Sequence, residues 1–273
     1  MPRNEQQRYQ LTDLLRVMQR LRDPRTGCPW DIRQDFISIV PSTLEECYEL
    51  AHAIEQGDFA QVADELGDVL FQVIFYAQLG SEQGLFNFAD VVKTLVEKLL
   101  RRHPHVFGDG EIEGQVADTS TIDDVRLSWE RIKKAERVGR NAPGILADVP
   151  LALPALPRAQ KLQKRVAAVN FDWPDSAAVI TRLEEEIDEL RNAIASGHPA
   201  DINDEMGDVL FTCVNLARHL GLDAESSLRG ASAKFERRFG AMESLALEND
   251  VSLVDLDTTK LDEYWQLAKG LES

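Results

Sequence analysis

An all-α fold, built as two tandem homologous antiparallel helix-bundle units, is predicted by three features of this sequence. The segment DELGDVLF at 64–71 returns as DEMGDVLF at 204–211, identical at seven of eight positions. Apolar residues recur at helical three- and four-residue spacing through most of the chain, and strand-like alternation is nearly absent. A segment with four prolines, RNAPGILADVPLALPALPR at 140–158, separates the two copies.

Taken in order, Leu11, Leu14, Leu15, Met18 and Leu21 predict a first helix. EECYE at 45–49 lies on the next, and Val62, Leu66, Val69, Leu70, Val73 and Ile74 mark a third. Val91, Leu95 and Leu99 mark a fourth, followed by an expected loop at 103–122. Pro143, Pro150, Pro154 and Pro157 forbid a long helix after that. Val209, Cys213, Leu216 and Leu220 then repeat the helical pattern. The expected units are therefore 1–136 and 158–273, each a small helix bundle, with a Pro-rich linker at 137–157.

At a constant offset of 140, Glu45, Glu46, Glu49, Gly57, Glu65, Gly67 and Asp68 fall on Glu185, Glu186, Glu189, Gly197, Glu205, Gly207 and Asp208. Neighbours diverge, as in Cys47/Ile187, His52/Asn192 and Glu55/Ala195, while the acids and glycines do not. At an offset of 136, KLLRR (98–102) faces KFERR (234–238), and Trp129 and Lys133 face Trp265 and Lys269.

Residues three apart share a helix face, so Glu46 with Glu49, and Glu65 with Asp68, are carboxylate pairs on successive helices. Gly57 lies eight residues from both Glu49 and Glu65, where a left-handed cap would end the first helix. Equal arms at about 1.5 Å per residue bring the pairs level across a helical hairpin. Gly197 plays that part in the second unit, with Pro199 in the first turn of the next helix.

One ExxE in a Glu-rich protein is ordinarily an exposed acidic face. Its repetition in register argues instead for four converging carboxylates, which must be protonated, exposed or bound to cations. Oxygen-only donors favour Mg²⁺, with Mn²⁺ as the alternative. Gly67 and Gly207 cost up to about 1 kcal/mol against Ala within a helix, which a close approach by a neighbouring helix or a ligand would explain.

The formal net charge of −17 argues against nucleic acid as a partner. No run of about 18 apolar residues suggests a membrane span, and the polar MPRNEQQRYQ start does not resemble a signal peptide. Cys28, Cys47 and Cys213 form no CxxC pair and fit reduced thiols in a cytoplasm. No GxxxxGKS loop is present.

The acidic pattern, EECYE…ELGD and EEIDE…EMGD, resembles the MazG family of tandem-domain nucleoside triphosphate pyrophosphohydrolases. GCPWD (27–31), KLLRRHPHVF (98–107), QKLQKRVAAVNFDW (160–173) and KFERR (234–238) extend the resemblance over almost the whole chain. It implies an all-α homodimer that uses Mg²⁺ to hydrolyse nucleoside triphosphates to monophosphate and pyrophosphate. The implied metal ligands are Glu46, Glu49, Glu65 and Asp68, and Glu186, Glu189, Glu205 and Asp208. Lys234, Arg238 and Trp265 are implied nucleotide contacts.

The chemistry agrees. A triphosphate beside carboxylates needs metal ions to bridge the repulsion. Glu45 and Glu185 lie one turn before Glu49 and Glu189 and are candidates to orient the attacking water, or are simply solvated. Lys98 with Arg102, and Lys234 with Arg238, are four apart and suit phosphate binding or ordinary surface charge. Trp129 and Trp265 either stack on a base or fill the core. Arg182 stands where the first unit has Ser42, and Asn215 where it has Phe75. These extra polar groups make the second unit the expected main catalyst, with Arg182 a candidate nucleotide contact.

Two rival readings fit the sequence less well. A di-iron bundle needs Glu-x-x-His from two helices. Glu49 and His52 make one such pair, but Asn192 replaces the histidine in the second unit. A non-enzymatic nucleotide or metal sensor has no need of two intact carboxylate sets.

Overall fold

The computed structural model of the chain describes residues 8–114, 121–122, 124–125, 128–129, 132, 144–147 and 149–271. Parts of the expected loop at 103–122 and linker at 137–157 lie outside the described residues, as does Lys133. Among the described residues there are nine α-helices and no strand. Residue contacts divide the chain into two compact units, Met1–Glu136 and Arg137–Ser273.

The first unit contains α1 (Leu11–Leu21), α2 (Val40–Gln56), α3 (Phe59–Glu82) and α4 (Phe88–Arg102). α3 and α4 start where side chains replace missing backbone partners. Asp58 accepts from the Ala60 and Gln61 N–H groups at the head of α3, and Asn87 exchanges bonds with Asp90 at the head of α4. The apolar stripe of α1 packs on α3, burying Met18 with Ile39, Ile74, Phe75 and Leu79. Arg22, just past α1, donates to both carboxylate oxygens of Glu82 at 2.8 and 2.6 Å, and its guanidinium lies 5.1 Å above the Phe75 ring.

The second unit contains α5 (Ala155–Ala167), α6 (Ser176–Ser196), α7 (Pro199–His219), α8 (Ala224–Glu248) and α9 (Thr258–Gly270). The first residues of α5, at 155–157, belong to the segment expected as linker; Pro157 falls in the first turn, where a missing N–H does no harm. α5 docks through side-chain amides: Gln163 donates to the Phe211 carbonyl of α7 at 2.8 Å and Gln160 to Leu222 at 3.2 Å. Asp172, between α5 and α6, accepts from Arg218 and lies 3.1 Å from His219.

The helical spacing of α3 and α7 overstates their burial. Ile74 is in the core, but Leu66, Leu70 and Val73 are exposed, as are Met206, Leu210 and Phe211 of α7. Periodicity identifies a helix but not how many of its faces find a neighbour within one chain. Among the described residues no helix is long and apolar enough to cross a membrane.

Candidate active site

Each candidate site is a hairpin of two helices, α2 with α3 and α6 with α7, and these pairs make the most extensive interhelical contacts in their units. Gly57 ends α2 at φ 71° and Gly197 ends α6 at φ 74°. These left-handed positions favour glycine. Asp58 returns its N–H to the Ala53 carbonyl at 3.1 Å, and the chain turns directly into α3. The eight-residue arms expected from the sequence bring the acids opposite each other.

In the first unit, carboxylate oxygens of Glu46, Glu49 and Glu65 all lie within 4.8 Å of one another. In the second, Glu186, Glu205 and Asp208 do the same. Each expected quartet thus gathers as a close triplet. Asp68 stands outside the first but is near enough to push the Glu46 carboxyl upward. Glu189 stands just outside the second, paired with Arg182 at 3.4 Å and near enough to Glu205 to push its carboxyl upward.

The central acids are buried: Glu65 is 8% exposed and Glu186 is 5% exposed. Burial first, and then repulsion from Asp68, Glu49 and Glu65, holds Glu46 above the ordinary glutamate value. Repulsion from Glu65 is the largest cause of the same shift at Glu49. Burial raises Glu186, and the nearby Arg182 opposes it. Burial and then Glu189 raise Glu205. One oxygen of Glu186, Oε2, is fully buried with no hydrogen-bond partner.

Arg182 is the principal difference between the two hairpins. From one turn earlier on α6 it reaches Glu185 at 2.9 Å, Glu186 at 2.8 Å and Glu189 at 3.4 Å. Expected from sequence as a nucleotide contact, it is bound here to the acids themselves. Glu185, a candidate to orient water, is exposed and held by that arginine. Glu45 is exposed and adds to the repulsion at Glu46 and Glu49. Ser42 occupies the matching position in the first unit, and there Glu65 accepts a 3.4 Å contact from the Gln61 amide.

Lys98 and Arg102 lie on the last turns of α4, and Lys234 and Arg238 lie mid-way along α8. Among the described residues Lys98 and Lys234 form no ion pair. Trp265 is half-buried against Phe235, with ring centroids 5.4 Å apart, and Trp129 stays exposed beside His103 at 6.3 Å. Asn215, expected to add polarity near the acids, is buried and instead accepts from Arg218 at 2.6 and 3.1 Å. His52 is exposed and joins neither carboxylate group, which removes the di-iron arrangement among the described residues.

A Cβ added at Gly67 or Gly207 would meet nothing within 4 Å, so among the described residues no neighbouring helix explains those glycines. Spacing alone missed the Arg182 bridge, although the steps from 182 to 185, 186 and 189 were legible as one helical face. It also missed buried Gln72, whose Oε1 lacks a partner one turn beyond Asp68.

The sequence model of the MazG nucleotide pyrophosphohydrolase domain matches the chain twice, at residues 34–107 and 175–240, so each match contains one acidic hairpin. A nucleoside triphosphate pyrophosphohydrolase of Escherichia coli K12 is 46% identical over 267 residues, covering 96% of this chain and 98% of the relative. A Thermotoga maritima protein named nucleoside triphosphate pyrophosphohydrolase/pyrophosphatase MazG is 42% identical over 258 residues, covering 94% and 95%. A nucleoside triphosphate pyrophosphohydrolase of Mycolicibacterium smegmatis is 32% identical over 191 residues, covering 67% of this chain and 56% of the relative. With two matched domains, each folded around the same acids, the chain belongs to the MazG nucleotide pyrophosphohydrolase family.

Proposed function

We propose that this chain hydrolyses nucleoside triphosphates to a nucleoside monophosphate and pyrophosphate at its acidic hairpins, with broad base tolerance and the second unit as the main catalyst. The observation that carries this reading is the gathering of three carboxylates within 4.8 Å, twice, in a chain 46% identical to a nucleoside triphosphate pyrophosphohydrolase.

The donor set fits Mg²⁺, or Mn²⁺ in its place: oxygen ligands only, two of them buried, and one buried oxygen at Glu186 with no proton donor. Glu186, Glu189, Glu205 and Asp208 would hold the ion in the second unit, and Glu46, Glu49, Glu65 and Asp68 in the first. Such an ion would offset the repulsion between carboxylate and phosphate charge, polarise phosphoryl oxygens and lower the pKa of a water ligand. Glu185 and Glu45, one turn away, would orient that water and accept its proton. Lys234, Arg238 and Arg182 would neutralise phosphate charge, and half-buried Trp265 offers a ring face to a base. Lys98, Arg102 and Trp129 would take those parts in the first unit. The open space at Gly67 and Gly207 suits close approach of a ligand.

A homodimer is part of this reading. The apolar stripes of α3 and α7, with Leu66, Leu70, Val73, Met206, Leu210 and Phe211, are exposed in the single chain and suit burial against a second copy. The acidic charge disfavours nucleic acid, and three free cysteines fit a reducing cytoplasm.

The test is pyrophosphate release from each of the common NTPs, with Mg²⁺ and with EDTA. Release that requires the metal supports the proposal. No product above the metal-free control would leave a nucleotide or metal sensor as the better reading.

A further inference from the structure

The Arg182 guanidinium spans three of the acids it shares α6 with, and its side chain is only 31% exposed. It takes one oxygen of Glu186 at 2.8 Å and leaves the other, buried Oε2, without any partner. It also pairs with Glu189 at 3.4 Å, beside the close group formed by Glu186, Glu205 and Asp208. In the second hairpin two of the four expected ligands, Glu186 and Glu189, are therefore already engaged by an internal cation. The first hairpin has Ser42 at that register, and its Glu49 is already inside the close group with Glu46 and Glu65.

We infer that Arg182 is a built-in counter-ion that a divalent cation must displace from Glu186 and Glu189, and that the released guanidinium then turns to the phosphates of the triphosphate. This rests on the reading that the hairpin acids hold the cation. A guanidinium and a divalent ion compete for the same lone pairs, and like charges so close repel. Once the cation satisfies the acids, a planar fork of donors is free beside a bound polyanion, the geometry to which arginine is best matched. Cation binding and nucleotide binding at the second unit are thereby coupled through one side chain. The first unit binds its cation with no such exchange.

Two measurements of opposite sign test this in the full-length chain carrying E46Q and E49Q, which silence the first hairpin. Mn²⁺ affinity, read by electron paramagnetic resonance without nucleotide, should tighten roughly two- to fivefold in R182S, the change expected for removing a partly exposed ion pair. Affinity for an α,β-methylene triphosphate in saturating Mg²⁺ should fall about tenfold or more in the same variant, with R182K intermediate. Loss of a merely structural contact would weaken both or neither. The reciprocal S42R, in a chain carrying E186Q and E189Q, should weaken Mn²⁺ binding at the first hairpin. An R182S protein, folded by circular dichroism, with Mn²⁺ affinity equal to or weaker than its parent overturns the exchange alone. Absence of Mn²⁺ binding in wild-type protein overturns the site reading and this proposal together.

Discussion

The two hairpins place matching carboxylates at matching positions and balance their charge in different ways. In the first, Glu46, Glu49 and Glu65 face one another with little to offset them, and mutual repulsion with burial holds Glu46 and Glu49 above the ordinary glutamate value. In the second, Arg182 lies across Glu185, Glu186 and Glu189 and opposes the effect of burial on Glu186. A second contrast lies a few turns along the same helices. Phe75 of α3 is buried under the Arg22 guanidinium, which is paired with Glu82. Asn215, at the matching position of α7, accepts from Arg218, which is paired with Asp172. Both units thus set an arginine–carboxylate pair against this position, and each sequence chose a different side chain to meet the guanidinium. Duplicated folds conserve where charge sits more strictly than how it is compensated.

The comparison breaks most sharply through activity. Glu205→Gln or Asp208→Asn is expected to lower pyrophosphate release on the order of a hundredfold or more, as removal of a ligand or charge at a phosphoryl-transfer centre does. Glu65→Gln or Asp68→Asn in the first unit is expected to cost much less. Equal losses from the two units would show that they share the work.

Next comes the Phe75/Asn215 register. Phe75 is 1% exposed and stacks edge-on with Phe71 at 5.8 Å. Phe75→Ala should cost about 3–5 kcal/mol of stability in chemical denaturation. Asn215→Ala leaves Arg218 short of an acceptor and should cost about 1–3 kcal/mol. Neither should reduce activity as far as loss of Glu205 or Asp208.

The charge contrast also has a pH signature. Glu46, Glu49, Glu186 and Glu205 titrate above the ordinary 4.5. A carboxyl raised in the folded state takes its proton there first, so its ionisation destabilises the fold and acidification through the raised range restores stability. Acids that are lowered, such as Asp172 and Asp223, lose their contribution only as pH falls below the ordinary 3.8. The metal-free melting temperature should therefore rise as the pH falls from neutral toward the ordinary glutamate value of 4.5, and fall once the pH drops below 3.8. E46Q with E49Q should flatten that rise more than R182K does, and a monotonic decline would contradict the charge picture.

The smallest effect is expected at the glycines. Gly67→Ala and Gly207→Ala enter open space, so each should stabilise the metal-free chain by about 0.5–1 kcal/mol in thermal unfolding. If activity falls while stability rises, a ligand approaches those positions closely. Unchanged activity would remove that explanation.

Much of the site was legible before folding. The repeat offset located every acid, and Gly57 and Gly197 located both turns, because a left-handed cap and equal helical arms leave one way to align the pairs. The misses have a common cause. The Arg182 bridge, the Asn215–Arg218 bond and the exposure of Leu66 and Leu70 depend on which neighbour a helix face meets. Spacing gives the face and not the neighbour.

The sequence by itself determined an all-helical chain, its duplication, its hairpin turns and the eight acids that line them. These follow from local rules: periodicity within a helix, glycine at positive φ, and residues three or four apart sharing a face. Only the tertiary structure decided that each quartet closes as a triplet, that Glu65 and Glu186 are buried, and that Arg182 lies across the acids of the second site. Those outcomes turn on distances between separate helices and on the dielectric around them. Coulomb energy and desolvation depend on both, and neither is written in the order of residues.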